Sequence, residues 1–204
     1  MPADSTPEPG FRLTKELRSL CCVHEAGHAI AAALGGKRCR EMAVAPLGAT
    51  ADWCFVTRHD GKPFPGRIGY CVTSAPLTFL QWDTENTDGV DMARVRKIQN
   101  ALLMAKKPRH RASYYQELRI ALRVLLAGLV AETLFLEDSA RTEQGLSNGA
   151  DRDLATASRC CDLLPFCRDR ELVHAIKQTT TALDSHWPAL MDLAAALYQT
   201  GTLD

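Results

Sequence analysis

Two histidines and a glutamate near the start of the chain have the spacing of a site that binds a metal and moves a proton. His24 and His28 are four residues apart, and Glu25 directly follows the first histidine. On an α-helix, side chains at positions i and i+4 lie on one face, so both imidazoles can bind the same ion. Glu25 stands beside that face, where its carboxylate can accept a proton from a metal-bound water. The pattern predicts Zn²⁺ held by His24 and His28, with Glu25 as general base, as on the active-site helix of zinc peptidases.

The motif lies within a segment that is predicted to form one helix, from Thr14 to Leu34. Thr14 suits the N-cap, and Gly35 and Gly36 supply a stop signal after an apolar stripe. A helix that buries one face would hold both imidazoles in register. The competing interpretation is two core histidines satisfied by hydrogen bonds, but the glutamate beside them favours a metal.

A catalytic zinc usually has three protein ligands and one position open for water, so a third ligand must come from elsewhere. The metzincin continuation would require Gly and His shortly after His28, where this chain has Ala31 and Leu34, and that class is excluded. The residues alone leave several candidates open: Glu132, Asp151 and Asp153 first, then His59, His110, His174 and His186.

Composition indicates one globular domain without a membrane span. The 204 residues include 24 basic and 24 acidic side chains, so net charge gives no reason to expect binding to nucleic acid or to an anionic membrane. Residues 1–10 hold three prolines and are predicted to be a disordered tail, followed by a single domain at 11–204. In the absence of a secretion signal, we expect a cytoplasmic location and reduced cysteines.

The remaining segments predict a mainly α fold with a small β-sheet or hairpin, an α+β class. Short strands are expected at 42–46 and 51–57, and Pro46 would place the first of them at an edge or an end. Further helices are expected at 90–106, 114–135, 151–163 and 171–198, the last of them bent near Pro188.

Two downstream segments resemble the FtsH-type zinc peptidases, family M41. Residues 126–132 are Leu-Ala-Gly-Leu-Val-Ala-Glu, and residues 149–154 are Gly-Ala-Asp-Arg-Asp-Leu. At these places that family carries Gly-Gly-Arg-x-Ala-Glu-Glu and Gly-Ala-Ser-Asn-Asp-Leu, downstream of His-Glu-Ala-Gly-His. The resemblance implies a helical zinc-peptidase domain in which Asp153 is the third zinc ligand.

The resemblance also implies an edge strand near the active-site helix that leads a peptide past the zinc. By similarity of Ala45-Pro46-Leu47-Gly48 to the family's Ile-Pro-x-Gly, the matching residues are Val44, Ala45 and Pro46.

Local chemistry supports roles for two acidic residues. Asp153 lies near the start of a predicted helix, where the helix dipole favours an ionised carboxylate; the alternative for it is a capping role. Glu132 lies on an apolar helix and needs a partner when buried. It is expected to hold the ring N–H of a ligating histidine, with pairing to Arg123 or Arg159 as the alternative.

The chain also departs from the family pattern. Asp151 and Arg152 replace the family's Ser and Asn, Thr133 replaces its second glutamate, and residues 66–111 form a divergent, insertion-like region.

The family's ATPase domain and membrane anchors have no counterpart. We therefore expect an ATP-independent zinc endopeptidase that acts on unfolded or flexible polypeptides. The alternatives are a non-catalytic zinc-binding scaffold or adaptor, and a regulatory peptidase that cuts one specific partner. A homo-oligomer and a separate ATPase or chaperone are compatible with the sequence.

Overall fold

The computed structural model describes residues 12–50, 56–57, 63–64, 68–74, 100, 108–138 and 148–204. Its helices are α1 (Lys15–Leu34), α2 (Pro108–Asp138), α3 (Asn148–Cys161), α4 (Arg168–Ser185) and α5 (Trp187–Thr200). Its strands are β1 (Cys39–Val44), β2 (Val56–Thr57), β3 (Pro63–Phe64), β4 (Gly69–Thr73) and β5 (Thr202–Leu203). The described residues are mainly helical with a small antiparallel sheet, which confirms the predicted α+β class.

Helix α1 begins and ends where the sequence predicts. The Thr14 Oγ1 accepts a hydrogen bond from the Leu17 N–H at 3.2 Å and so satisfies one of the free N–H groups of the first turn. At the other end, the Gly35 N–H donates to the Ala31 carbonyl at 3.0 Å. Gly36 follows with a φ of 71°, a left-handed conformation that glycine adopts without steric cost.

Strand β1 is the central strand of a three-stranded sheet with the order β4-β1-β5. Both neighbours pair with it antiparallel, β4 along its whole length and β5 at two positions. The prediction of an edge strand that presents Val44, Ala45 and Pro46 to a substrate is therefore wrong. The reason is long-range pairing, because β4 and the C-terminal β5 occupy both sides of the strand.

The backbone around Val44 and Ala45 already has its hydrogen-bond partners. The Val44 N–H donates to the Gly201 carbonyl at 2.9 Å, and the Ala45 N–H donates to the Ile68 carbonyl at 2.7 Å. The Ala45 carbonyl accepts from Nε of buried Arg18 at 3.0 Å. A peptide could not add to this stretch without displacing these bonds. Within the described residues, the strands at the edges of the sheet are β4 and β5.

Two apolar clusters hold α1 and α2 in place. One lies where α2 meets α3 and α4, and includes Leu118, Leu122, Leu126, Cys160 and Leu163. The other lies between α1, α2, α5 and one face of the sheet, and includes Val23, Ala26, Met42, Ala131 and Leu197. The second face of the sheet is covered by a smaller cluster around Leu13, Ala43 and Tyr70. Helix α1 is thus buried from several sides, which fixes its rotation.

The segment predicted as one bent helix at 171–198 is two helices, α4 and α5, separated at His186. Pro188 lies in the first turn of α5, where its missing N–H costs nothing. Helix α2 is longer than predicted and begins at Pro108.

Other predictions are only partly covered by the structure. The tail at 1–10, the helix at 90–106 apart from residue 100, which is helical, and residues 51–55 of the second predicted strand lie outside the described residues, whereas Val56 and Thr57 form β2. None of the described helices is long and apolar enough to cross a membrane. The cysteines that the structure describes are free thiols, and the adjacent pairs of α1 and α3 are buried.

Candidate metal centre

The two histidines of α1 face one row of α2. Val124, Gly128 and Glu132 follow one another at four-residue intervals, so they lie on one face of α2. The ring of His24 lies against Gly128 and Glu132, and the ring of His28 lies against Val124. Helices α1 and α2 are therefore antiparallel here. The two histidines of α1 pack against the row of Val124, Gly128 and Glu132 on α2.

Small residues allow this close approach. A Cβ atom built on Gly128 would lie 2.4 to 2.6 Å from three ring atoms of His24, closer than any side chain can approach. A Cβ atom on Gly27 would lie 2.6 Å from the Ala127 carbonyl oxygen. The absence of side chains at Gly27 and Gly128 therefore sets the distance between the helices and makes room for the imidazole.

Each histidine donates its Nδ1–H to an acceptor on α2. The His24 Nδ1 lies 2.6 Å from Oε1 of Glu132, which is fully buried, and the His28 Nδ1 lies 2.7 Å from the Val124 carbonyl oxygen. These acceptors assign the proton of a neutral ring to Nδ1. In its neutral form, each ring thus presents the lone pair of its Nε2 atom on the opposite side.

The two Nε2 atoms converge with a carboxylate oxygen from α3. The Nε2 atoms of His24 and His28 are 3.0 Å apart, and the Asp153 Oδ2 lies 3.2 Å from the first and 3.0 Å from the second. The three side chains are mostly buried, with exposed fractions of 6%, 13% and 13%. Residues 24, 28 and 153, far apart in the sequence, thus place three donor atoms at the corners of one small triangle.

This donor set suits a metal ion. Three lone pairs about 3 Å apart repel one another unless a positive charge lies among them. A tetrahedral ion with bonds of about 2.0 to 2.1 Å spaces its ligands about 3.3 Å apart, close to the observed triangle. The group of His24, His28 and Asp153 can therefore hold a metal ion.

The pKa values of these three side chains also favour a positive charge in the site. Burial lowers the pKa of His24, but hydrogen bonds with Asp153 and Glu132 and the charge of Glu25 outweigh burial and raise the pKa to about 10. Burial also opposes the protonation of His28, but the charge and hydrogen bond of Asp153 raise its pKa. Burial alone would raise the pKa of Asp153, whereas the charges and hydrogen bonds of the two histidines hold it well below its ordinary value. The site thus keeps an ionised carboxylate and favours positive charge beside it.

Glu25 lies on the sheet side of α1 and is buried. Gly69 of β4 borders it: a Cβ atom built there would lie 2.8 Å from the Glu25 Oε1 and 3.1 Å from its Cγ. The lack of a side chain at Gly69 gives the carboxylate room between α1 and β4. A buried carboxylate thus follows the first histidine in the sequence and lies at the boundary between the helix and the sheet.

Asp153 does not cap its helix, because it lies in the second turn of α3 with its carboxylate directed at the histidines. The other candidate ligands are placed elsewhere. Asp151, His174 and His186 are exposed, and His59 lies outside the described residues. Nothing is described of the His110 side chain, although its backbone belongs to α2.

Sequence reasoning did not identify three groups that shape the site: the Val124 carbonyl, Gly128 and Gly69. A signal for Gly128 was present, because a glycine four residues before Glu132 shares its helix face. A sequence does not indicate which backbone carbonyl will accept a hydrogen bond from a histidine ring. Gly69 becomes informative only when the pairing of β4 with β1 is known.

Neither the known protein-family models nor the curated protein sequences contain a match to this chain.

Proposed function

We propose that this protein is a zinc-dependent endopeptidase that cuts unfolded or flexible polypeptide segments without ATP. The observation that carries the proposal is the convergence of His24, His28 and Asp153, with Glu25 on the same helix as the two histidines. Two neutral imidazoles and one carboxylate form a ligand set of the kind found in catalytic zinc sites, which keep a further position open.

Each residue of the site has a role in peptide hydrolysis. His24, His28 and Asp153 would hold the ion, and Glu132 and the Val124 carbonyl would orient the imidazoles. A bound zinc ion would supply Lewis acidity, which polarises the peptide carbonyl and acidifies a water molecule.

Glu25 would move the proton. Its carboxylate accepts a proton as the water oxygen attacks the carbonyl carbon, and it then donates that proton to the amide nitrogen as the C–N bond breaks. The products are a new carboxylate and a new amine. Because Glu25 is buried, water competes little for its proton.

The shape of the site favours an extended substrate. The three ligands are at most 13% exposed, and this burial favours a narrow, extended substrate over the surface of a folded protein. Within the described residues, β4 is the edge strand that lies beside α1, and its Gly69 borders Glu25. We infer that the substrate runs beside β4 rather than β1.

The resemblance to the FtsH-type peptidases supports the proposal. In that family the third zinc ligand is the aspartate of the downstream Asn-Asp-Leu sequence, which corresponds here to Asp153. The contacts of Asp153 with both histidines are those that this correspondence requires.

Metal removal and replacement tests the proposal. We expect purified protein to bind about one zinc ion, to lose cleavage of an unfolded protein such as casein after treatment with a chelator, and to recover it when zinc is added. Asp153→Ala should lose zinc, whereas the matched variant Asp151→Ala, on the exposed side of the same helix, should retain it. Zinc that stays bound in a variant lacking both His24 and Asp153 would show that the site is assigned incorrectly.

A non-catalytic zinc-binding scaffold or adaptor would give a different result. It would bind zinc through the same residues and leave several unfolded substrates intact. Cleavage of one partner only, with casein intact, would identify a regulatory peptidase instead.

A further inference from the structure

A pair of reactive side chains that do not belong to the metal group lies on the sheet. Cys39 of β1 and Cys71 of β4 have their Sγ atoms 3.6 Å apart. Both are free thiols and both are partly exposed. They are 32 residues apart and share no spacing motif, so no pattern in the sequence pairs them.

A β-bulge brings the two thiols onto the same face of the sheet. Cys39 is paired with Thr73 and Glu41 with Val72, so β1 has one extra residue, Arg40, between these pairs. In a regular strand, Cys39 would lie on the face of Glu41, because side chains alternate. The extra residue moves Cys39 to the opposite face, the face of Thr73 and Cys71.

We propose that Cys39 and Cys71 are a redox modification site that forms a reversible intrachain disulfide. The sulfur atoms are in van der Waals contact and need to approach by roughly 1.5 Å to reach bonding distance. Among the described cysteines, the adjacent pairs in α1 and α3 are buried, and Cys167 is exposed.

The reaction balances with a small-molecule disulfide, such as oxidised glutathione, as the oxidant. The Cys39 thiolate attacks one sulfur of the oxidant, and the first glutathione thiolate leaves. The Cys71 thiolate then attacks the Cys39 sulfur of the mixed disulfide, and the second glutathione thiolate leaves. In total, two cysteine thiols lose two protons and two electrons, and the oxidant is reduced to two thiols.

The local environment favours Cys39 as the first nucleophile. The hydrogen bond with Cys71 lowers the pKa of the Cys39 thiol below its ordinary value, against the effect of burial. The same contact and burial raise the pKa of Cys71. Cys39 is thus suited to attack the oxidant, and Cys71 is suited to resolve the mixed disulfide. The resulting bond would hold β4 against β1 next to Gly69, on the strand that borders Glu25.

Oxidation followed by peptide mapping tests the proposal. The full-length protein is incubated with mixtures of oxidised and reduced glutathione, alkylated, and digested without reductant by a protease that cleaves after glutamate. Trypsin is unsuitable because it would leave Cys39 in a dipeptide between Arg38 and Arg40. We expect a linked peptide pair containing Cys39 and Cys71, formed at a lower ratio of oxidised to reduced glutathione than the adduct at Cys167.

Variants and unfolding temperature complete the test. Cys167→Ser should retain the link, whereas Cys71→Ser should lose it and accumulate a glutathione adduct at Cys39. Oxidation should raise the midpoint of thermal unfolding by roughly 5 °C in the wild type and not in Cys71→Ser. Wild-type protein that forms glutathione adducts at Cys39 without the link, or that links Cys167 instead, would overturn the proposal.

Discussion

Replacement of Gly128 by alanine is expected to disable the metal group while the protein stays folded. Gly128 lies on α2 directly behind the ring of His24. The added methyl group would lie 2.4 Å from the ring Cε1, 2.5 Å from Nε2 and 2.6 Å from Nδ1. Because α2 is packed from several sides, the ring has to move rather than the helix.

The size of the displacement follows from these distances. Carbon atoms in contact are at least about 3.5 Å apart, so the ring must move by about 1 Å. Metal ligands tolerate deviations of about 0.2 Å. The hydrogen bond from the His24 Nδ1 to Glu132, now 2.6 Å, would also lengthen. We expect a loss of metal affinity on the order of 100-fold, which corresponds to about 2.7 kcal/mol.

Zinc affinity is measured by competition with a chelating dye, and folding by circular dichroism and urea unfolding. Gly35→Ala is the matched control. Its added methyl group would meet the Ile120 Cγ2 at 2.6 Å, a clash of similar size between the same two helices but remote from the histidines. The control should lose stability and keep its zinc affinity.

A Gly128→Ala variant that binds zinc as tightly as the wild type would refute this reasoning, because His24 could then not lie against Gly128 as a ligand. Equal loss of zinc affinity in Gly35→Ala would refute it in another way, by showing that any clash between the helices disturbs the metal.

Three further predictions concern single buried side chains. Glu132→Gln keeps an acceptor for the His24 ring but removes the charge, and we expect zinc affinity to fall about tenfold, against about 100-fold in Glu132→Ala. Arg18→Met leaves two backbone carbonyls without their charged donor, and we expect urea unfolding to show a loss of about 3 kcal/mol. Burial raises the pKa of the Cys160 thiol to about 12, so the unfolded state ionises first as the pH rises above about 9. Between pH 9 and 12, stability should fall by about 1.4 kcal/mol per pH unit for this thiol, and Cys160→Ala should remove that part of the slope.

Each of these predictions has a control and a contradicting outcome. Unchanged zinc affinity in Glu132→Ala would show that its hydrogen bond does not orient the ligand. For Arg18, the exposed Arg170→Met is the control, and equal stability of the two variants would contradict the buried contacts. For Cys160, the exposed Cys167→Ala is the control for replacement of a cysteine by alanine. A slope of unchanged size in Cys160→Ala would assign the alkaline loss of stability to other groups.

Local patterns in the sequence predicted the parts of the fold that local chemistry determines. Helix α1 was predictable because its cap, its apolar stripe and its stop signal are all within the segment itself. The convergence of Asp153 with the histidines could be expected only through the resemblance, since the residues alone left several candidates. Glu132 was predictable as a partner of a ligating histidine because a buried carboxylate on an apolar helix needs one.

Long-range pairing explains what the sequence could not predict. Strand β1 has the composition of an edge strand, with Pro46 close behind it, yet it is central because of β4 and β5. β5 has only two residues and carries no periodic signal. The contact between Cys39 and Cys71 depends on both this pairing and the bulge at Arg40, and no local pattern indicates either.

We propose above that Glu25 serves as the proton acceptor of a zinc peptidase built on His24, His28 and Asp153. The most direct measurement compares the rate of cleavage of unfolded casein by wild-type protein and by Glu25→Gln at equal zinc content. We expect the variant to bind zinc normally and to cleave at least about 100-fold more slowly, since general base catalysis contributes about 10²- to 10⁴-fold. Equal cleavage by the two proteins, or no cleavage by either when fully loaded with zinc, would contradict it.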